Sequence, residues 1–244
     1  MRLFTPATRA HALATRLHRR FLQRAGEFWR SRQAIAATEF VLVLPFLVAM
    51  MAGSAEVARL IVFARDVTLA ATTSVEMITQ NGTGKVNFID LHFAQDSTMV
   101  IFPGILLDSS LKGTSWGKDI SISMASVCFT SKASAPCTPV CTSNCTFANV
   151  VWSSGSSKRA CGVNLTPVAD TSGPSPATLP ADVFGPGSLI VVDIIFNYTP
   201  IFAPRFFGTI PIARSAYIAP RYVPLIKYAV VSGDDGIGAE CPGY

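Results

Sequence analysis

One uninterrupted apolar run, FVLVLPFLVAMMAGSA over residues 40–55, constrains this chain more than any other feature. Counted from Ile35, the stretch has the length a bilayer core demands of a helix, roughly 20 residues. Glu39 is its only charge. Ahead of it, residues 1–34 hold eight arginines against the single acid Glu27, a net +7, while the rest of the chain carries −2. Positive charge before a span stays on the cytoplasmic side of a membrane. The same arginines would suit a nucleic-acid-binding arm, but their place beside the apolar run favours topology, and no nucleic-acid partner is expected. The run is the only one of its length, which excludes a multi-pass protein. Half of the residues are hydrophobic, which excludes a disordered chain. Gly53-Ser54-Ala55 offers a small-residue site for signal peptidase. Against that reading, the basic region is too long and a charge opens the apolar stretch.

The pattern past Ala55 remains helical. Val57, Leu60, Ile61, Ala64, Val67, Ala71, Val75 and Ile78 recur at three- and four-residue steps and make an apolar stripe. Glu56, Arg59, Arg65, Asp66, Thr72, Thr73, Glu76 and Thr79 largely take the other faces, with Glu56 and Arg59 spaced to pair along the helix. Asn81-Gly82 is a stop signal. One helix is predicted from about Ile35 to Gln80, its first half in lipid and its second half outside with the stripe packed on something. Pro45 falls inside it, a defect that membrane helices tolerate.

After Gly82 the period changes to two. Ile120, Ile122 and Met124 alternate with Ser121, Ser123 and Ala125 within 119–129. Within 188–198, Ile190, Val192, Ile194, Phe196 and Tyr198 form one face, and Asp193 and Asn197 lie on the other. Residues 209–218 and 222–231 are further candidate strands, and 86–93 shows a less regular pattern of the same kind. The Pro-, Ser- and Gly-rich stretch 166–186 reads as a long loop. A helical stripe and a one-sided sheet each need a partner, so the expected fold is α+β: a long N-terminal transmembrane and amphipathic helix packed on an antiparallel β-sheet. The expected organisation is a basic cytoplasmic tail over 1–34, the helix over 35–82, and an exported β-rich domain over 83–244.

Cys128, Cys137, Cys141, Cys145, Cys161 and Cys241 all follow the span. A tail-inside orientation places them in an oxidising space, and three disulfides are expected, of a connectivity the sequence does not choose. Residues 128–161 then form a stapled surface loop. Zinc is the rival reading of the dense Cys137, Cys141 and Cys145. Only His11, His18 and His92 accompany them, and the paired Cys-x2-Cys spacing is missing. No metal or cofactor is therefore expected. Gly113-Thr-Ser-Trp-Gly117 matches a nucleophile elbow, but that motif needs a downstream histidine, and none follows Ser115. It reads as a turn, as does Gly233-Asp-Asp-Gly236. There is no phosphate-binding loop. No catalytic residue is expected, and the chain is not read as an enzyme.

The stretch from Arg30 to Ile78 resembles the N-terminal region of the TadE/TadG-like family, the pseudopilin-like proteins of Flp (Tad) pilus assembly. The likeness is carried by Arg30 and Arg32, the small residues Ala34, Ala36 and Ala37, the pair Glu39-Phe40, then Leu42, Leu44, Pro45 and Gly53, and Arg59, Ala70 and Ala71 beyond. The later strands fit the family loosely. The resemblance implies a pilin-like fold and a structural role as a minor pilin, pseudopilin or assembly component. It implies an inner-membrane protein with a cytoplasmic N-terminus and a periplasmic or pilus-borne C-terminal domain. Its partners would be other pilins or pseudopilins, the Tad assembly platform and a prepilin peptidase. Some family members are cut after a glycine five residues before the glutamate. The matching position is Ala34, so both a mature start at Ile35 and retention of the arm stay open. Glu39, Phe40, Pro45 and Gly53 would make subunit contacts in the membrane. The alternative is a membrane-anchored or secreted adhesion protein whose β-domain binds a surface ligand.

Overall fold

The predicted long helix forms. In a computed structural model, which describes residues 32–132, 146–202 and 208–244, helix α1 covers Arg32–Thr79 with Pro45 inside it. The chain divides into two compact units, Met1–Ala55 and Glu56–Tyr244. The described part of the first is α1 alone. Its large apolar side chains from Phe40 to Met51 are all exposed. The helix over Ala37–Thr79 is long and apolar enough to cross a membrane.

In the second unit, the remainder of α1 buries Phe63, Val67, Ala70, Ala71, Ser74, Val75, Ile78 and Thr79. These positions follow a 3.6-residue period. The packed stripe therefore differs from the expected one at its start. Val57 and Ile61 are 57% and 63% exposed, and Phe63 takes the inner position instead. The helix stops where predicted, with the Asn81 Oδ1 accepting from the Thr83 amide at 2.8 Å.

Strand β1 (Lys85–Val86) is followed by three helices: α2 (Phe88–Ile101), α3 (Gly104–Lys112) and α4 (Trp116–Asp119). The strand expected over 86–93 is thus corrected to the start of α2. The reason is local. The Asn87 side chain accepts from the amides of Ile89 and Asp90, and Asp90 accepts in return from the Asn87 amide. This reciprocal cap satisfies three backbone donors that a helix start otherwise leaves open. Helix α2 lies against α1 at small residues, where the Ser74 hydroxyl donates to the Ala94 carbonyl at 3.3 Å.

The sheet comprises β2 (Ile120–Ser131), β3 (Thr146–Gly155), β4 (Asn164–Val168), β5 (Thr178–Pro180), β6 (Gly187–Tyr198) and β7 (Ile210–Ile218). Their order is β5-β4-β3-β2-β6-β7, antiparallel except for β4 with β5. Two short strands complete the set: β8 (Lys227–Tyr228), parallel to β1, and β9 (Gly238–Glu240), antiparallel to β3. The strand expected over 222–231 reduces to β8.

The alternation read in β2 and β6 holds. Ile120, Ile122, Met124, Ile190, Val192, Ile194, Phe196 and Tyr198 join one core with Phe63, Val67, Val75 and Ile78 of α1. The opposite face is also covered. Val127, Val150 and Val191 pack with Leu165, Leu179 and Phe184. Much of the stretch read as a loop over 166–186 is therefore a lid of short elements on the sheet.

The reading of 128–161 as a surface loop is corrected as well: β3 within it is a largely buried strand. A bulge explains the missed pattern. Trp152 pairs with Ser126, whereas Val150 pairs with Val127, so Val151 is the extra residue. The strand changes faces there, and its alternation does not survive in the sequence. Trp152 faces α1, and its Nε1 donates to the Ile226 carbonyl at 2.9 Å.

Candidate functional site

The residues singled out in the apolar helix lie along one element. Ala34 and Ile35 fall in the first turn of α1. Glu39, Phe40, Pro45 and Gly53 are exposed. A Cβ built on Gly53 meets no atom within 4 Å, so this surface is open to neighbours of any kind. The basic tail up to residue 31 lies outside the described residues.

The start of the second unit holds a polar knot that the spacing of α1 did not reveal. Glu56 was expected to pair with Arg59. Its carboxylate accepts instead from the Tyr198 hydroxyl and from the amides of Ile201 and Phe202, at 3.1 and 3.3 Å. The Arg59 guanidinium lies over the rings of Phe63 and Tyr198, 5.4 and 5.9 Å from their centroids. Beneath it Phe63, Phe102, Phe196 and Tyr198 meet edge to face, with centroids 5.1–5.7 Å apart. Such contacts contribute roughly 0.5–1.5 kcal/mol per pair beyond area burial. The main signal in the sequence is Tyr198, the polar-tipped residue that ends the apolar face of β6.

Helix α3 is fastened to the same end of β6. Lys112 pairs with the buried Asp108 at 2.5 Å and donates to the Asn197 carbonyl at 2.6 Å. Asp119 lies 3.5 Å from the same ammonium. These carboxylates serve a structural cation.

A second buried ion pair occupies the far face of the sheet. Arg159 donates to Asp193 at 2.7 Å and to the Thr178 carbonyl at 2.8 Å, and the Ser215 hydroxyl donates to Asp193 at 2.6 Å. Arg159 is 3% exposed and Asp193 is 8% exposed. Both Asp193 oxygens and both terminal nitrogens of Arg159 have partners within the fold, so the cluster is a fastening of β5, β6 and β7.

Of the six cysteines, Cys161 and Cys241 form a disulfide. Cys128 carries a free thiol. The expectation that it is disulfide-bonded is corrected. It sits in the central strand β2, opposite Asn149 and Ser188, with no cysteine beside it in either neighbouring strand. Burial pushes its thiol above the ordinary value. Cys137, Cys141 and Cys145 lie outside the described residues.

The two chance motifs are turns. Gly113 caps α3 in the left-handed region, at φ 65°, and Ser115 precedes the short α4. In the turn over 233–236, Asp234 accepts from the Tyr228 hydroxyl at 2.6 Å. Burial, and then this bond, raise the Tyr228 hydroxyl above the usual range. Asp235 meets His92 at 2.7 Å, a bond that holds its carboxyl below the usual range. Among the described residues no three histidine, cysteine or acidic side chains gather as metal ligands. Comparison with family models, curated proteins and solved structures found no significant match to this chain.

Proposed function

We propose that this chain is a structural, non-catalytic component of a bacterial Tad (Flp) pilus, a minor pilin or pseudopilin of the TadE-like kind. It is held in the inner membrane by α1, with its arm cytoplasmic and its sheet domain periplasmic or on the pilus. The observation that carries the reading is the exposed apolar surface of α1 from Phe40 to Met51, headed by the single carboxylate Glu39. A helix that is apolar all round is stable only among lipids or other helices. A carboxylate at its start is costly in lipid unless it is neutralised.

The mechanism follows from that charge. Cleavage between Ala34 and Ile35 would free an α-amino group near the start of the span. The amino group of one subunit and Glu39 of its neighbour neutralise each other, which sets the axial stagger of packed helices. Without cleavage the arm remains available to the assembly platform. Exchange of Glu39 for Gln tests the idea in cells. Loss of pili at unchanged protein level is expected; full piliation by the variant would refute the role. The N-terminus of the protein recovered from native membranes, Ile35 or Met1, separates the processed subunit from the permanently anchored assembly factor.

A further inference from the structure

The charges at the start of the second unit are arranged in an unusual way. Between Glu39 and Arg65 the only charged residues are Glu56 and Arg59. Neither is directed outward: Glu56 is bonded to Tyr198 and to the Ile201 and Phe202 amides, and Arg59 covers two rings. What α1 exposes on these turns is apolar, with Val57 at 57%, Ile61 at 63% and Val62 at 53%. The opposite side of the same turns is also apolar, buried at Phe63 and Val67. The helix is thus apolar on both sides until Arg65, its first exposed charge after Glu39. Facing water, such a surface would be unfavourable at about 25 cal/mol per Å². At a bilayer surface it is the stable arrangement.

The groups tied to these turns are apolar too. Ile201 and Phe202, whose amides hold Glu56, expose 48% and 49% of their surface. Helix α3 begins at Gly104, where a Cβ would stand 3.0 Å from the Phe63 ring. It ends at Lys112 on the Asn197 carbonyl. Its outer side shows Leu106, Leu107 and Leu111, at 48%, 61% and 62% exposure.

We infer that this end of the sheet domain, formed by Ile201, Phe202 and the outer leucines of α3, is seated in the lipid interface. The occupant of the apolar surface is the bilayer, because the surface continues in the chain directly from the apolar run ending at Ala55. At that depth the knot holds the Glu56 carboxylate on the Tyr198 hydroxyl and two amides, and the Arg59 guanidinium on the faces of two rings, so neither intervening charge is presented to the lipid. This inference rests on α1 being a membrane span, the reading proposed above.

Photocrosslinking of the full chain in native membranes tests it. The substitutions are Phe202→p-benzoylphenylalanine and Leu107→p-benzoylphenylalanine. Leu47 serves as the reference within the run. Tyr222 serves as the distant control, because its neighbour Arg221 donates to Thr79 at the far end of α1, about 35 Å from Glu56 at 1.5 Å per residue. Retention of the Cys161–Cys241 bond on peptide mapping confirms that each variant is folded. Lipid adducts at 47, 202 and 107, with only background at 222, are expected. Adducts at 47 but none at 202 and 107, or adducts there to protein alone, including a second copy, would overturn the inference and leave the span intact. Absence of lipid adducts at 47 would overturn the span reading and the inference with it.

Discussion

Glu56 and Tyr198, 142 residues apart in the chain, share a hydrogen bond that joins the first turn of the sheet domain's helix to the last residue of its longest apolar strand face. The amides of Ile201 and Phe202 complete the carboxylate's set. This knot ties chain continuity to tertiary structure: where the apolar run ends, the sheet takes hold of the helix. Removal of the hydroxyl in Tyr198→Phe should cost about 1.5–3 kcal/mol, the range for a hydrogen bond to a charged group. Paired with Glu56→Gln in a double-mutant cycle, monitored by thermal unfolding in detergent, it should show clear coupling. Additive effects would mean that the two groups do not interact.

The pair of Arg159 and Asp193 predicts a different outcome. Arg159→Met leaves the Asp193 carboxylate buried without its cation and should destabilise by about 3–5 kcal/mol. Replacing both partners with apolar residues of similar volume should recover most of that loss, because no uncompensated charge remains. Denaturant midpoints of the three variants check this, and a double variant worse than the single one would contradict it.

Gly155 closes β3 at φ 90°, and a Cβ there would stand 2.0 Å from the Ile122 carbonyl oxygen. That oxygen, like the Ser123 Cα 2.8 Å from the Cβ, is backbone and not the end of a flexible side chain. Gly155→Ala should therefore cost about 3 kcal/mol or more, whereas Gly185→Ala, where a Cβ meets nothing within 4 Å, should be close to neutral. Equal unfolding temperatures for the two variants would show that the chain does not turn as described.

The cysteines separate by chemistry. Cys161 and Cys241 are 80 residues apart, and replacing both with serine should cost about 2–5 kcal/mol. Cys128 should be alkylated in the folded protein without reduction, since its thiol is free. Its reaction near neutral pH should be slower than in the unfolded chain, and should accelerate with rising pH above the ordinary thiol range, because burial disfavours the thiolate. Site-resolved mass spectrometry of the alkylated peptides reads both. A Cys128 peptide that reacts only after reduction would show that it is disulfide-bonded.

The elements with an unbroken period were legible from the residues alone. Helix α1, the faces of β2 and β6, the strand at β7 and the stop at Asn81 all follow from local pattern, since each buries a regular set of side chains. Three features were hidden for identifiable reasons. The bulge at Val151 turns β3 over midway, so its alternation cancels. The cap at Asn87 turns an apolar stretch of strand-like composition into a helix. The lid over the second sheet face is built from pieces too short to carry a period.

The candidate site divides along the same line. Residue order alone marks the apolar run with Glu39 at its head and the arginines before it, because a bilayer reads length, hydropathy and charge directly. Where Glu56 and Arg59 direct their charges, which cysteines meet, and which leucines remain uncovered depended on the tertiary structure. Each of those outcomes needs partners brought together from distant parts of the chain, and no local spacing encodes such a meeting.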